Sequence, residues 1–328
     1  MALGTMGRLL GTAALAAVAA AAWGQAAWRP EKAVEMVITT APGGSNDQVA
    51  RLIQKIWQDE KLVTAPVLIV NKPGGNQTVA VAYLQQHAGN AHHLLMANPT
   101  VVTNYLAGIT PLSPAELTPI ALLLVEHTAI SVRADSPIRN LQDLAARLKA
   151  DPDSMALGIV ARGGVNHLAV SLAVKASGVD ARKLKAVVFK TNAESMIALV
   201  GGHIQFVASS VTTAMTQAKS GNARVVAIAS SQRMGGQLAG VPTFREQGID
   251  SWVSNWRGIM GPKSMTPAQV AFWEEALARV AATEEWKKEV EARDWGGQFM
   301  RSREFAKYLD GEQAAARSIM TELGLAKQ

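Results

Sequence analysis

Short runs of apolar and β-branched residues alternate along this chain with longer stretches in which apolar residues recur every three to four positions. The short runs have the length of buried strands, and the longer stretches have the spacing of amphipathic helices. Predicted strands cover 36–38, 67–70, 93–97, 120–124, 130–133, 155–160, 187–189, 206–208 and 225–229, and predicted helices include 78–86, 141–148 and 168–175. This alternation predicts parallel sheets with helices on both faces.

The first strand, loop and helix occupy residues 34–57. Ala41-Pro42-Gly43-Gly44 ends the strand, because Pro42 has no N–H to donate and glycine readily adopts positive φ. Ser45 is predicted to cap the helix, with Gln48 completing a capping box. Free N–H groups and the positive end of the helix dipole meet at this loop, which favours a bound anion.

A second unit of the same order follows in the other half of the chain, where Ala161 to His167 links a strand to a helix through two glycines. We therefore expect two α/β domains, formed by residues 27–129 with 251–328 and by residues 130–250, with the chain returning over 252–261. From Thr266 to Leu325 the chain is predicted to be helical throughout. Ligands of such sheets bind beyond the carboxyl ends of the strands.

The first 26 residues form a separate segment. Arg8 precedes an alanine-rich apolar run from Leu9 to Trp23 that is too short to span a bilayer comfortably. Gly24 and Ala26 suit the −3 and −1 positions of a signal-peptide cleavage site, so cleavage is predicted after Ala26. The chain contains no cysteine, which excludes disulfides and lipoprotein attachment, and the mature protein is expected to be exported and soluble.

Composition narrows the choice of function. The chain has 328 residues and a net charge of +6, but its basic residues are scattered and lack interleaved aromatics, so nucleic-acid binding is not predicted. The histidines are dispersed, and the adjacent His92 and His93 cannot face one metal from a strand, so neither a metal nor another cofactor is predicted. There is no GxSxG elbow or other catalytic arrangement.

Several loose motifs occur in a specific order. They are Ala41-Pro42-Gly43-Gly44 with Asp47 and Arg51, Asn71-Lys72-Pro73-Gly74, Gly163-Gly164 with Asn166-His167, Gly201-Gly202-His203, Val241-Pro242-Thr243 with Glu246 and Gly248, and Trp256 with Gly258 and Pro262. Through them the mature chain resembles the Bug family, the periplasmic solute receptors of tripartite tricarboxylate transporters, and its tricarboxylate-binding branch most. The resemblance implies a type II Venus flytrap that closes on a di- or tricarboxylate, without cofactor or catalysis. It also implies a periplasmic monomer whose partners are the membrane subunits of the transporter.

The resemblance implies that the loops Ala41 to Asp47 and Arg162 to His167 are two ligand clamps. With the polar residues at the strand ends, the predicted ligand-binding residues are Ala41, Pro42, Gly43, Gly44, Ser45, Asp47, Asn98, Thr100, Arg162, Gly163, Gly164, Asn166, His167, Asn192, Ser209 and Ser210. His167 could cap its helix, donate to a ligand or pack against its loop. Arg162 could pair with a carboxylate or remain an exposed arginine. Trp256 and Arg257 could belong to the hinge or to the wall of the cleft, and the hinge is the preferred interpretation.

Two other functions fit the same expectations. One is a sensory protein that binds a solute and then docks to a membrane histidine kinase. The other is an exported enzyme acting on a small organic acid in the cleft, which the missing catalytic arrangement disfavours.

Overall fold

The computed structural model describes residues 28–230, 232–250, 252–293 and 295–327. The predicted signal peptide and its cleavage site lie outside these residues. Within them the strands are β1 Val34–Ile38, β2 Val67–Asn71, β3 His93–Ala97, β4 Leu117–Glu126, β5 Thr128–Arg133, β6 Ala156–Ile159, β7 Lys185–Val188, β8 Phe206–Ser210, β9 Ala223–Ile228, β10 Asn255–Pro262 and β11 Met300–Arg301. The α-helices are α1 Ser45–Asp59, α2 Thr78–Gln85, α3 Thr100–Leu106, α4 Leu141–Ala150, α5 Val165–Ala176, α6 Asn192–Val200, α7 Val211–Lys219, α8 Pro267–Ala282, α9 Glu284–Ala292 and α10 Ser302–Glu322.

The strands form two sheets, and the predicted two-domain α/β fold is confirmed. The first sheet has the order β11-β4-β10-β3-β1-β2, and the second has the order β7-β6-β8-β5-β9. Both sheets are mixed, and each has a trio of parallel strands with most of its strands running in one direction. β1, β2 and β3 pair in parallel, as do β6, β7 and β8, whereas β10 and β5 run antiparallel to their neighbours. β5 and β10 are the strands that directly follow the two chain crossings, and β11 also pairs antiparallel, with β4.

The two sheets repeat one topology. Read from its outer parallel strand, the first sheet runs β2-β1-β3-β10-β4 and the second runs β7-β6-β8-β5-β9. In each sheet a glycine loop follows the central strand of the parallel trio, β1 or β6. Because parallel strands place their carboxyl ends at one edge, each lobe presents one glycine loop at that edge.

The lobes are joined by extended chain and by packing. Only His127 separates β4 in the first sheet from β5 in the second. Leu168 and Leu172 of α5, in the second lobe, share a hydrophobic cluster with Phe305 and Leu309 of α10 in the first. Apolar side chains of both lobes are therefore removed from water where the lobes meet, which stabilises their contact. No helix in the described part of the chain is long and apolar enough to cross a membrane.

The C-terminal region departs from the prediction of continuous helix. The capping box at Thr266 and Gln269 begins α8 as expected. However, α9 ends before Trp295, and Gly296 forms an isolated bridge with Val125 of β4. A Cβ on Gly296 would lie 2.8 Å from the Val125 carbonyl oxygen, so this close approach requires glycine. The chain then adds β11 to the edge of the first sheet before α10 begins.

Candidate functional site

The first glycine loop turns tightly between β1 and α1. Gly43 has φ +81°, and the Gly44 N–H donates to the Ala41 carbonyl at 3.2 Å. The helix cap is Gly44, with φ −70° and ψ 163°, so the prediction of Ser45 as the cap is wrong. Gln48 does not form a capping box either, because its side chain donates to the Gly43 carbonyl. A Cβ on Gly44 would lie 2.7 Å from Thr40 Oγ1, so the turn itself excludes a larger residue.

The second glycine loop has nearly the same geometry. Gly163 has φ +68°, and the Gly164 N–H donates to the Ala161 carbonyl, again at 3.2 Å. Gly164 caps α5 with φ −73° and ψ 166°. In both loops the amides of the first three helical residues have no acceptor inside the helix. These amides are free to donate to an anion, and the helix dipole adds to the attraction.

Asp47 holds the first loop together instead of facing the cavity between the lobes. Its Oδ2 accepts from the Gly43 N–H and from Arg51 Nε, each at 2.9 Å, and its Oδ1 accepts from Asn71 Nδ2 at 3.0 Å. Burial pushes the pKa of this carboxyl upward, but these hydrogen bonds outweigh burial and hold the pKa below its ordinary value. The ionised carboxylate is therefore committed to the loop.

His167 has the equivalent role in the second loop. Its Nδ1 accepts from the Gly163 N–H at 3.0 Å, four residues earlier in the chain, as Asp47 accepts from Gly43. An accepting Nδ1 requires the ring to be unprotonated at that atom. Burial, with a smaller contribution from the charge of Arg162, lowers the pKa of His167 to about 4. Of the three roles open to His167 in the sequence, the structure favours support of the loop.

A cavity of about 50 Å³ lies between the two loops. It is lined by Thr40, Gly44, Ser45, Asn46, Gln77, Asn98, Thr100, Val160, Ala161, Gly164, Val165, Asn166, Thr191, Asn192, Asn255 and Arg257. Seven of the predicted residues are among them: Gly44, Ser45, Asn98, Thr100, Gly164, Asn166 and Asn192. The structure places the other nine outside this lining: Ala41, Pro42, Gly43, Asp47, Arg162, Gly163, His167, Ser209 and Ser210. Ser210 caps α7 instead, and its Oγ lies 3.5 Å from Ser45 Oγ.

The guanidinium in the cavity wall belongs to Arg257 and not to Arg162. Arg162 is exposed, and its Nη2 donates to the Ala186 carbonyl on β7 at 2.9 Å. Arg257 is buried on β10, where its Nη2 lies 3.0 Å from Glu126 Oε2 and its Nη1 lies 2.6 Å from Asn255 Oδ1. Burial lowers the pKa of Arg257, and the Glu126 carboxylate opposes this shift. Because Glu126 ends β4 at the crossing, Arg257 is paired with a residue of the crossing and also forms part of the cavity wall.

Hydrogen bonds connect the lobes around the cavity. Asn76 Nδ2 donates from one lobe to the Arg162 carbonyl of the other at 2.9 Å, and it also donates to Asn104 Oδ1 at 2.6 Å. Away from the cavity, Lys175 Nζ of α5 lies 2.9 Å from Glu322 Oε1 of α10. These contacts join the lobes in an arrangement that encloses the cavity.

The lining also contains polar residues that were not among the predicted ligand-binding residues. They are Thr40, Asn46, Gln77, Thr191, Asn255 and Arg257. Asn46 had a readable signal, because Ala-x-Gly-Gly-x-Asn occurs at Ala41 to Asn46 and again at Ala161 to Asn166. Gln77 and Arg257 had no comparable signal. Among the described residues, no group of three or more His, Asp or Glu side chains is arranged to hold a metal ion.

Comparisons of sequence place the chain among known proteins. Residues 49–325 match the family model described as tripartite tricarboxylate transporter family receptor. A UPF0065 protein from the gbd 5′ region of Cupriavidus necator is 27% identical over 317 residues, covering 96% of this chain and 95% of that protein. Protein BugT of Bordetella pertussis is 26% identical over 247 residues, covering 73% of each chain.

Solved structures share the fold. MatC from Rhodopseudomonas palustris with bound malate has a TM-score of 0.80 at 23% identity, covering 88% of this chain and 99% of that one. R. palustris Rpa4515 with adipate has a TM-score of 0.83 at 20% identity, with 90% and 99% covered. The family match spans most of the chain and confirms the resemblance to the Bug receptors. The chain therefore belongs to the receptor family of the tripartite tricarboxylate transporters.

Proposed function

We propose that this protein is a periplasmic receptor that encloses a di- or tricarboxylate between its lobes and delivers it to the membrane subunits of a tripartite tricarboxylate transporter. The observation that carries the proposal is the pair of matching glycine loops at the cavity, each followed by a helix N-terminus. Two sets of free amides and two helix dipoles attract one anion from opposite sides. A solute that touches both sets favours the enclosed arrangement over an open one.

The lining suits carboxylates in particular. Arg257 is the one charged residue among those that line the cavity, and Glu126 already neutralises it. The remaining polar groups are amides and hydroxyls, which can donate to carboxylate oxygens without adding a fixed charge. Neutral donors and helix dipoles therefore stabilise the solute's charge, as they do in other anion sites at helix N-termini.

The size of the cavity limits what it can hold. A volume of about 50 Å³ accommodates roughly three to five water-sized groups, which is about one carboxylate and its neighbouring carbons. A second cavity of about 260 Å³ shares Gly44, Ser45 and Asn192 with the first. We propose that it receives the rest of a longer solute. The malate and adipate in the two structural neighbours are small dicarboxylates and support this class of ligand.

The proposal includes no catalysis. Ser45 Oγ has Ser210 Oγ as its neighbour at 3.5 Å, and the ring of His167 is bonded to its own loop. Neither pair provides a base beside a nucleophile. Mass spectrometry of solute recovered after long incubation is expected to show it unchanged.

We also propose that residues 1–26 are removed as a signal peptide and that the receptor acts as a monomer. Domain 1 would comprise residues 27–129 and 251–328, and domain 2 would comprise residues 130–250.

The test is a calorimetric and thermal-shift screen with malonate, succinate, malate, adipate and citrate, with acetate and succinamide as controls. At a ligand concentration of 100 times Kd, binding adds about 2.7 kcal/mol to the folded state and raises Tm by several degrees. We expect at least one di- or tricarboxylate to do so and succinamide to have no effect. Equal binding of succinate and succinamide would contradict a carboxylate site.

Asn76 is expected to slow the release of the solute. Asn76→Gly keeps the backbone conformation at φ +54° but removes the hydrogen bond to the Arg162 carbonyl. One such bond contributes about 0.5–1.5 kcal/mol, so the dissociation rate should rise about two- to tenfold. Lys175→Ala, which removes an exposed contact between the lobes, is the control and should change the rate little. Stopped-flow measurement of ligand release checks this, and equal rates for both variants would contradict it.

A further inference from the structure

Gln77 stands in an unusual backbone conformation beside the cavity. It follows Gly74-Gly75 between β2 and α2, with φ +75° and ψ 2°, and its neighbour Asn76 has φ +54° and ψ 40°. Residues other than glycine rarely adopt this left-handed region, and glutamine gains no local compensation there. Strain of this kind persists where the surrounding structure enforces it, and it clusters at ligand sites. A glycine would avoid the strain, but it would also remove the side chain that Gln77 places in the cavity wall.

The hydrogen-bond network fixes which end of the Gln77 amide is free. Asn98 Oδ1 accepts from the Thr100 N–H at 2.9 Å, so the amide of Asn98 has one defined orientation. Asn98 Nδ2 is then a donor, and it meets Gln77 Oε1 at 3.0 Å. The oxygen of Gln77 is therefore occupied, and its Nε2 remains with two N–H donors.

This Nε2 has no acceptor among the residues that the structure describes. Gln77 as a residue is mostly buried, with 8% of its surface exposed, and it lines the cavity between the glycine loops. Nε2 is not among the side-chain atoms that are buried without a partner, so it keeps accessible surface beside the cavity that Gln77 lines. A ligand enclosed there can therefore supply the acceptor, and a hydrogen bond to a charged oxygen is stronger than one to a neutral group. We propose that Gln77 is a solute-binding residue whose Nε2 donates to a carboxylate oxygen of the enclosed solute. The inference rests on the proposed function and adds a side-chain donor to the backbone donors of the two glycine loops.

Two variants of Gln77 test the inference. Gln77→Glu keeps an oxygen for Asn98 Nδ2 but removes the donor and introduces a like charge. Gln77→Gly removes the side chain and relaxes the left-handed backbone. Gln86→Glu makes the same charge change at the exposed end of α2 and is the matched control. The probe is whichever of succinate, malate and adipate the wild type binds most tightly, and Kd is measured by calorimetry beside the Tm of the unliganded protein.

We expect Kd to rise about tenfold or more for Gln77→Gly, because a hydrogen bond to a charged group is lost. Gln77→Glu should raise Kd about 100-fold or more, since repulsion is added. Gln86→Glu should stay within about twofold of the wild type. The Tm of unliganded Gln77→Gly should remain close to the wild-type value, because relief of backbone strain offsets the lost bond to Asn98. A purely structural role would instead lower Tm and leave Kd unchanged.

The outcomes separate this inference from the proposed function. If the wild type binds one of the three acids and Gln77→Gly binds it equally well, Gln77 has no part in binding and the receptor function stands. If the wild type binds no carboxylate in the wider screen, the proposed function fails and this inference fails with it.

Discussion

Arg257→Met alone is expected to lower the free energy of unfolding by about 3–5 kcal/mol. The reason lies in Glu126, which has 1% of its surface exposed and meets Arg257 Nη2 at 3.0 Å. Without Arg257, a carboxylate is left in a shielded place with no partner of opposite charge. Removing one member of a buried ion pair is therefore far more harmful than removing an exposed pair. Denaturant unfolding of the unliganded proteins measures the effect.

The double variant Arg257→Met with Glu126→Leu separates two causes of instability, the loss of the ion pair and the burial of an unpaired charge. The pair is imperfect, since Glu126 Oε1 and Arg257 Nε are buried without hydrogen-bond partners. Replacing both members with apolar residues of similar size removes both charges together and should recover most of the lost stability. Lys55→Met, which removes two exposed ion pairs, with Asp59 and with Glu285, is the control and should barely move the denaturation midpoint. A double variant as unstable as the single one would show that the ion pair itself, and not an unpaired charge, carries the effect.

The double variant also shows what Arg257 does for binding. If the solute is held by the two glycine loops and neutral donors, a receptor without the ion pair should still bind a carboxylate. A loss of binding together with recovered stability would instead place the guanidinium in contact with the solute. Stability and affinity therefore have to be measured on the same variants.

Much of the fold was readable because its signals are local. A run of β-branched residues predicts a strand, and glycines followed by helical spacing predict a tight turn at a helix N-terminus. For this reason β3 was predicted with its observed bounds of 93–97. The break before β11 was not foreseen, because it depends on the close approach of Gly296 to Val125 in a distant strand.

The site was readable where it is built from glycine turns and from polar residues at the ends of strands. Gly44 and Gly164 could be predicted because paired glycines between a strand and a helix indicate a tight turn. Arg257 was not predicted as a ligand-binding residue, because it lies on a strand of buried residues and its partner Glu126 is 131 residues away in the chain. Gln77 was not predicted either, because its place in the cavity wall depends on tertiary contacts such as that with Asn98. Side chains that act through distant partners are thus the part that sequence patterns do not reveal.

The two loops differ in one respect that affects their response to acid. Asp47 holds the first loop with a carboxylate whose pKa is below its ordinary value, whereas His167 holds the second with a neutral ring. The carboxylate keeps its charge through mildly acidic pH. The ring must remain unprotonated at Nδ1 to accept from Gly163. Acidification should therefore loosen the second loop while the first is still intact.

The last prediction follows from this difference and concerns the stability of the protein between pH 4 and 6.5. The pKa of His167 is about 4 in the folded protein and 6.5 in the unfolded chain. Between these values the unfolded chain binds the proton and the folded protein does not, so acid favours unfolding. The contribution of His167 is present above pH 6.5 and is lost as the pH falls toward 4, to a total of about 3 kcal/mol.

His167→Gln isolates this contribution, because glutamine can accept from the Gly163 N–H without titrating. His92, His93 and His127 also have lowered pKa values, so the wild type minus the variant is the quantity to compare at each pH. We expect the unfolding free energy of the wild type minus that of the variant to fall steadily, by about 3 kcal/mol in total, from pH 6.5 to pH 4. Arg162→Ala should raise the pKa of His167, since it removes the nearby positive charge, and should weaken the pH dependence. A difference that stays constant across this range would mean that the second loop does not depend on a neutral His167.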